Sequence, residues 1–142
     1  MREPLLLPAL NVPARTILLD PNSDQPLIAP LTVRCIAKTE AFAEKFRAAL
    51  SRREVAVRDF FDLDYAARKL GLPADDAGLI SLVRQKLAVP GNAPVDVSER
   101  RLLELRQQVE TQLRSVLRRE DFAEFDLERA FRRVADIAAK LS

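Results

Sequence analysis

The hydrophobic pattern of this chain changes its period near residue 38, and this change constrains the fold more than any other feature. Most of the nine prolines lie within residues 1–37, where the sequence has no helical period. Residues 15–20 and 31–37 have the composition of strands, and the segment between them is rich in turn residues. After Thr39 the apolar residues follow helical spacing to the end of the chain.

These two patterns predict an α+β fold that is mostly helical. A short β-hairpin or strand pair, at about residues 15–20 and 31–37, precedes a bundle of about five helices. Because a chain of 142 residues buries enough surface for one domain, we expect a single domain over residues 1–142. Its β portion would span residues 1–38 and its helical bundle residues 39–142.

Capping signals mark where the predicted helices begin. Thr39 is a suitable N-cap for the first helix, and Asp75 or Asp76 for the third. Asp96 and Glu99 have the spacing of a capping box at the start of a long fourth helix. After the first helix, the predicted ranges are about 57–70, 77–88, 97–119 and from 127 onward.

The composition excludes several kinds of chemistry. The chain has no histidine and one cysteine, Cys35. It therefore cannot build a Cys/His zinc site, a Ser-His-Asp or Cys-His catalytic site, or an internal disulfide. Carboxylates, lysine, arginine or hydroxyl groups must carry any reaction. The lone cysteine and the lack of a signal peptide or membrane span lead us to expect a cytoplasmic protein.

Charged residues concentrate around the junction of the first two predicted helices. Lys45 lies beside an apolar stripe, Arg52 follows at the end of the first helix, and the second helix opens with Arg58 and Asp59. Asp62 lies three residues after Asp59, on the same helical face. Spacing alone also allows a structural interpretation, in which Arg58 and Asp62 form an exposed i,i+4 ion pair of about 0.2–0.5 kcal/mol.

This stretch resembles the nucleotidyltransferase AbiEii/AbiGii toxin family. The matching residues are Glu44-Lys45, Ala49-Leu50, Arg52 or Arg53, Arg58-Asp59 and Asp62-Leu63. The resemblance implies a toxin of a bacterial toxin–antitoxin or abortive-infection system that transfers nucleotides from an NTP, with Mg²⁺, to an RNA or protein acceptor. It also implies that Lys45, Arg52 and Arg58 bind the nucleotide, with Lys45 on the triphosphate, and that Asp59 and Asp62 are catalytic.

The family's metal site needs an early Gly-Ser or Gly-Thr segment and an Asp-x-Asp pair on strands, and the sequence shows neither. The only Asp-x-Asp, Asp62-Leu63-Asp64, falls in a helix, where residues i and i+2 point apart. We therefore expect the C-terminal part of such a toxin, inactive alone, with no metal ligands of its own. Its partners would be a missing N-terminal half, whose sheet residues 1–38 would complete, or a cognate antitoxin. An exposed strand edge would also allow a homo-oligomer.

A second interpretation is a non-enzymatic helical module that binds a protein or RNA through its arginine-rich helices. Arginines and glutamates alternate along the last two predicted helices, which is also typical of a solvated helix face. A complete small enzyme is a third interpretation. It has the least support, because the chain has no histidine and no pair of carboxylates on a strand.

Overall fold

The computed structural model describes residues 5–14, 18–73 and 76–141. The chain divides into two compact units, Met1–Glu40 and Ala41–Ser142. The predicted fold class is confirmed, because an N-terminal antiparallel strand pair is followed by helices that make up most of the described residues.

The first unit contains two strands, β1 (Leu10–Ala14) and β2 (Leu31–Cys35). They pair in antiparallel register, with Val12 opposite Val33. The predicted first strand, at 15–20, is wrong in position: residues 15–17 lie outside the described residues, and Leu19 makes only an isolated bridge to Pro26. Pairing with β2 overrides the poor strand propensity of β1, which contains an asparagine and a proline.

The connection between the strands is a turn organised by an aspartate. The Asp20 carboxylate accepts hydrogen bonds from the backbone N–H groups of Asn22 and Ser23, at 2.8 and 2.9 Å. These two bonds lower the pKa of Asp20. The backbone N–H groups of Leu6 and Leu7 donate to the two oxygens of Glu40, each at 2.8 Å, which ties the start of the described chain to the end of this unit.

Six α-helices and the segments that connect them follow β2 in the described chain. The helices are α1 (Lys38–Ser51), α2 (Val57–Lys69), α3 (Ala77–Leu87), α4 (Glu99–Gln108), α5 (Arg119–Glu124) and α6 (Leu127–Leu141). None of these described helices is long and apolar enough to cross a membrane.

The predicted fourth helix is shorter than expected and is followed by an unpredicted one. α4 passes into a single π-helical turn, Val109–Leu113, and the short α5 starts six residues later. The sequence does not indicate this break, because the helical spacing of apolar residues continues to Val116. In the structure Val116 is 58% exposed, so it is not part of the core. The described chain therefore has six helices where about five were predicted.

The helix starts are partly as predicted. Asp76 caps α3, accepting a hydrogen bond from the backbone N–H of Leu79 at 3.0 Å, and Asp75 lies outside the described residues. The predicted capping box of α4 is wrong, because the N-cap is Ser98, whose hydroxyl accepts from the N–H of Arg101. α1 begins at Lys38, so Thr39 is inside the helix instead of capping it.

The core of the second unit is built where α2 packs against α6. The rings of Phe60 and Phe131 stack with their centroids 5.9 Å apart. α6 buries one side chain every three or four residues, as its spacing predicts. The largest fully buried apolar side chains come from five helices and the π-helical turn: Phe46, Leu50, Val57, Phe60, Leu63, Leu79, Val83, Leu105, Leu113, Val134 and Ile137.

Candidate functional site

The loop of residues 52–56, between α1 and α2, is held from behind by two side chains. Arg101 donates from Nη2 to the carbonyl oxygen of Arg52 at 2.7 Å. The Gln108 amide donates to the carbonyl oxygen of Val55 and accepts from the N–H of Val57, both at 2.9 Å. Because Ala56 has no side chain able to cap α2, Gln108 supplies this cap from another helix. These contacts fix where α2 starts relative to α1.

That geometry brings together four charged side chains, which we call the Lys45 cluster: Lys45, Arg52, Asp59 and Asp62. The Lys45 ammonium nitrogen lies 2.6 Å from Asp62 Oδ2 and 3.3 Å from Asp59 Oδ1. Arg52 Nη1 lies 3.0 Å from Asp59 Oδ2. Asp59 thus faces one cation with each of its oxygens.

Burial divides the Lys45 cluster into an anchor and an exposed rim. The Asp59 side chain is 6% exposed, whereas those of Lys45 and Arg52 are 40% and 47% exposed. Although Arg52 is within ion-pair distance, Asp59 Oδ2 receives no aligned hydrogen bond. Arg52 can therefore redirect its N–H groups toward a ligand without breaking a hydrogen bond to Asp59.

The carboxylates keep Lys45 fully charged. Burial acts to lower the pKa of its ammonium, but the hydrogen bond and charge of Asp62, followed by those of Asp59, outweigh burial and raise the pKa above its ordinary value. Lys45 is therefore a permanent cation at neutral pH. A lysine in this state is suited to binding an anion and unsuited to acting as a general base.

Arg58 does not join the cluster. Its side chain is exposed and makes no hydrogen bond or ion pair with the described residues. The predicted i,i+4 pair between Arg58 and Asp62 is wrong, because Asp62 turns toward Lys45 on the neighbouring helix. Packing of α1 against α2 supplies a closer cation than the helix surface does.

A second group of charges, which we call the Asp64 cluster, consists of Asp64, Arg68 and Arg129. Arg129 on α6 donates to both oxygens of Asp64, at 2.7 and 2.8 Å, and Arg68 donates to Oδ2 at 3.0 Å. Burial would raise the pKa of Asp64, but the hydrogen bonds and charges of Arg129 and Arg68 lower it. The same pairing raises the pKa of Arg129.

Sequence reasoning did not assign a role to Asp64, although a signal exists. Asp64 lies four residues after Phe60 and one after Leu63, on the apolar face of α2, and is fully buried. A charge on such a face requires a buried partner. The expectation that Asp62 and Asp64 point apart is confirmed, since they contact cations on α1 and α6 respectively.

Comparison with known proteins confirms the resemblance to the AbiEii family. The family model described as "Nucleotidyl transferase AbiEii toxin, Type IV TA system" matches residues 1–137, almost the whole chain. The chain belongs to the AbiEii family. It is thereby related to nucleotidyltransferase-type toxins of type IV toxin–antitoxin systems, a relationship that implies an antitoxin as a genetic partner. No curated protein and no solved structure matches the chain.

Nucleotidyl transfer in the AbiEii family implies an NTP and Mg²⁺. Mg²⁺ requires oxygen ligands in octahedral array. Among the described residues, no group of three or more Asp, Glu, Cys or His side chains is placed to hold a metal. Asp59, Asp62 and Asp64 each face a lysine or arginine instead. With these cations in place, the described charged side chains fit an anion better than Mg²⁺.

Proposed function

We propose that this chain carries the triphosphate-binding part of an AbiEii-type nucleotidyltransferase site. Lys45 and Arg52 contact the phosphates of the NTP, Asp59 positions both cations, and Asp62 is the counterion of Lys45 when no nucleotide is bound. One observation carries the proposal: two half-exposed cations from different segments are anchored on a single buried carboxylate.

Exchanging Asp62 for a triphosphate as the partner of Lys45 costs little free energy. An ion pair between exposed groups contributes about 0–1 kcal/mol, and the Asp62 side chain is 36% exposed. A triphosphate carries more negative charge than one carboxylate, so it competes well for the Lys45 ammonium. Asp59 is much less exposed and stays in place, which keeps Lys45 and Arg52 oriented after Asp62 has been displaced. Arg58, exposed on the first turn of α2, adds a further cation for the nucleotide.

The reaction supported by this arrangement is nucleotide transfer to an acceptor hydroxyl. A bond forms between the acceptor oxygen and the α-phosphorus, the bond from that phosphorus to the bridging oxygen breaks, the hydroxyl proton passes to solvent, and pyrophosphate leaves. The Lys45 ammonium stabilises the negative charge that develops on the pyrophosphate. Because Asp59, Asp62 and Asp64 face cations, we assign the carboxylates for Mg²⁺ to a separate polypeptide that carries the Gly-Ser and Asp-x-Asp motifs. An RNA or protein hydroxyl is the proposed acceptor.

Nucleotide binding tests the phosphate contacts. Isothermal titration calorimetry with ATP should give an affinity that Lys45→Met and Arg52→Gln each weaken by about tenfold or more, because each removes a charge-assisted hydrogen bond. The matched control is Lys69→Met, which removes a similarly exposed lysine that pairs with Glu124. Equal affinities for Lys45→Met and Lys69→Met, with both variants folded by circular dichroism, would overturn the proposal.

A transfer assay tests the assignment of the metal carboxylates. The purified chain, incubated with α-³²P-labelled NTP, Mg²⁺ and bulk RNA, should transfer no label. Label should appear when a polypeptide that carries the Gly-Ser and Asp-x-Asp motifs is added. Efficient transfer by the chain alone would contradict this assignment.

A further inference from the structure

A groove lies beside the Lys45 cluster, between the loop of residues 52–56 and the end of α4. It has a volume of about 1110 Å³, and its walls include Arg52 and Arg53 on one side and Gln107, Thr111 and Gln112 on the other. Arg52 belongs to both the groove and the Lys45 cluster. A ligand with one end on the cluster could therefore extend its other end into the groove.

The charges lining the groove cancel. Arg52 and Arg53 are balanced by Glu54 and Glu104. A groove that bound an RNA backbone would need an excess of cations along its length. The balanced charge favours an uncharged, polar part of a ligand.

The wall formed by the end of α4 and the π-helical turn has side chains that can recognise an uncharged, polar part of a ligand. The side-chain amides of Gln107 and Gln112 are exposed and make no hydrogen bond with the described residues. Each amide presents a donor and an acceptor, the combination that matches the edge of a nucleobase. The Gln108 amide is already engaged in holding the loop, which keeps the opposite wall at a fixed distance.

The π-helical turn supplies part of this wall. The N–H of Arg114 donates to the carbonyl oxygen of Val109 at 3.2 Å, which is the i+5 bond of such a turn. The Thr111 hydroxyl donates to the carbonyl oxygen of Gln107 at 2.9 Å. Single π turns within helices occur frequently at functional sites. Here the turn places Thr111 and Gln112 in the groove.

We infer that this groove binds the base and ribose of the nucleoside triphosphate, with Gln107 and Gln112 contacting the base. The inference rests on the proposed function, because the phosphates of the same molecule would contact Lys45 and Arg52. It gives the chain a nucleoside subsite in addition to its phosphate contacts.

Two ligands separate this inference from the proposed function. Calorimetry on the full chain would compare ATP with inorganic tripolyphosphate, which carries the charge without the nucleoside. ATP should bind about tenfold more tightly, an advantage that corresponds to one or two net hydrogen bonds. The double variant Gln107→Ala/Gln112→Ala should lose that advantage and bind tripolyphosphate unchanged. Gln85→Ala, which removes an exposed glutamine on α3, should behave like the wild type.

The outcomes are distinguishable. If tripolyphosphate binds and ATP binds no better, the nucleoside subsite is wrong and the phosphate contacts stand. An ATP advantage that survives in the double variant would also overturn the assignment of Gln107 and Gln112. If tripolyphosphate does not bind, the proposed function and this inference fail together. Salt-sensitive binding of a short RNA that the double variant abolishes would reassign the groove to an RNA chain.

Discussion

The Lys45 cluster and the Asp64 cluster both use carboxylates of α2, yet they are built for different purposes. In the Asp64 cluster the carboxylate is fully buried and every contact is an aligned guanidinium hydrogen bond. In the Lys45 cluster only Asp59 is buried, and the two cations remain open to solvent. In the Asp64 cluster, protein groups satisfy the hydrogen bonds of the carboxylate. In the Lys45 cluster, the exposed cations can exchange a carboxylate for a ligand.

Under the proposed function, this difference separates the aspartate that stabilises the fold from the two that act on a ligand. Asp64 joins α2 to α6 through Arg129, so losing this contact loosens the packing of those two helices. Asp62 contacts a half-exposed lysine, so its partner can leave at little cost. The proposed ligand-binding anchor, Asp59, and the structural one, Asp64, therefore lie five positions apart on one helix.

The largest expected effect is on stability. Asp64→Asn should lower the free energy of unfolding by about 2–4 kcal/mol, because it removes the buried counterion of Arg129 and leaves Arg68 with Glu124 alone. Urea denaturation followed by circular dichroism measures this change. Asp136→Asn, on the exposed face of α6, is the matched control and should change stability by less than about 0.5 kcal/mol. A loss below about 1 kcal/mol for Asp64→Asn would remove the distinction between the clusters.

The next effect is on nucleotide affinity. Asp59→Asn should weaken ATP binding about tenfold, because Lys45 and Arg52 lose the charge that orients them. It should destabilise the protein less than Asp64→Asn does. Calorimetry and urea denaturation on the same preparations give both values. If Asp59→Asn left ATP affinity unchanged, Asp59 would not be a positioning residue.

A smaller effect of opposite sign is expected at Asp62. Asp62→Asn should strengthen ATP binding by about two- to fivefold, because it removes both the competitor for Lys45 and a negative charge near the phosphates. The gain should shrink in 0.5 M salt. Tighter binding by Asp62→Asn beside weaker binding by Asp59→Asn would separate the two carboxylates. Weaker binding by both would mean that Asp62 also positions Lys45.

The smallest effect is a difference in pH dependence. The folded-state pKa of Asp64 lies below its ordinary value of 3.8, so its stabilisation is complete above that pH and is lost as the pH falls through the lowered value. The pKa of Lys45 lies above 10.5, so its contribution is present below that pH and is lost as the pH rises further. Urea denaturation across pH should therefore show a loss of stability in acid that Asp64→Asn reduces and Lys45→Met retains. Part of the loss should remain in Asp64→Asn, because the pKa values of Asp20, Asp96 and Glu124 are lowered as well.

The sequence predicted the helical part of the fold well where local patterns decide it. The regular spacing of apolar residues in α6 and the cap at Asp76 correspond to the structure. β1 was misplaced because its pairing with β2 depends on distant residues. The end of α4 was missed because its apolar spacing continues beyond the π turn.

The candidate site was only partly predictable for a related reason. Resemblance to the family grouped Lys45, Arg52, Arg58, Asp59 and Asp62, and the structure brings all of these except Arg58 together. Spacing along one helix suggested the wrong partner for Asp62, since its contact comes from α1. The bond between Asp64 and Arg129 joins residues 65 positions apart, which no local pattern indicates.

The central claim is that a triphosphate takes the place of Asp62 on Lys45, and NMR of the lysine ammonium groups tests it most directly. The chain has five lysines, so the ¹H–¹⁵N signal of Lys45 can be assigned by its loss in Lys45→Met. On addition of inorganic tripolyphosphate, the Lys45 signal should shift until the site is saturated, while the Lys69 signal stays in place. An unchanged Lys45 signal at high tripolyphosphate concentration, or equal shifts at Lys45 and Lys69, would contradict the claim.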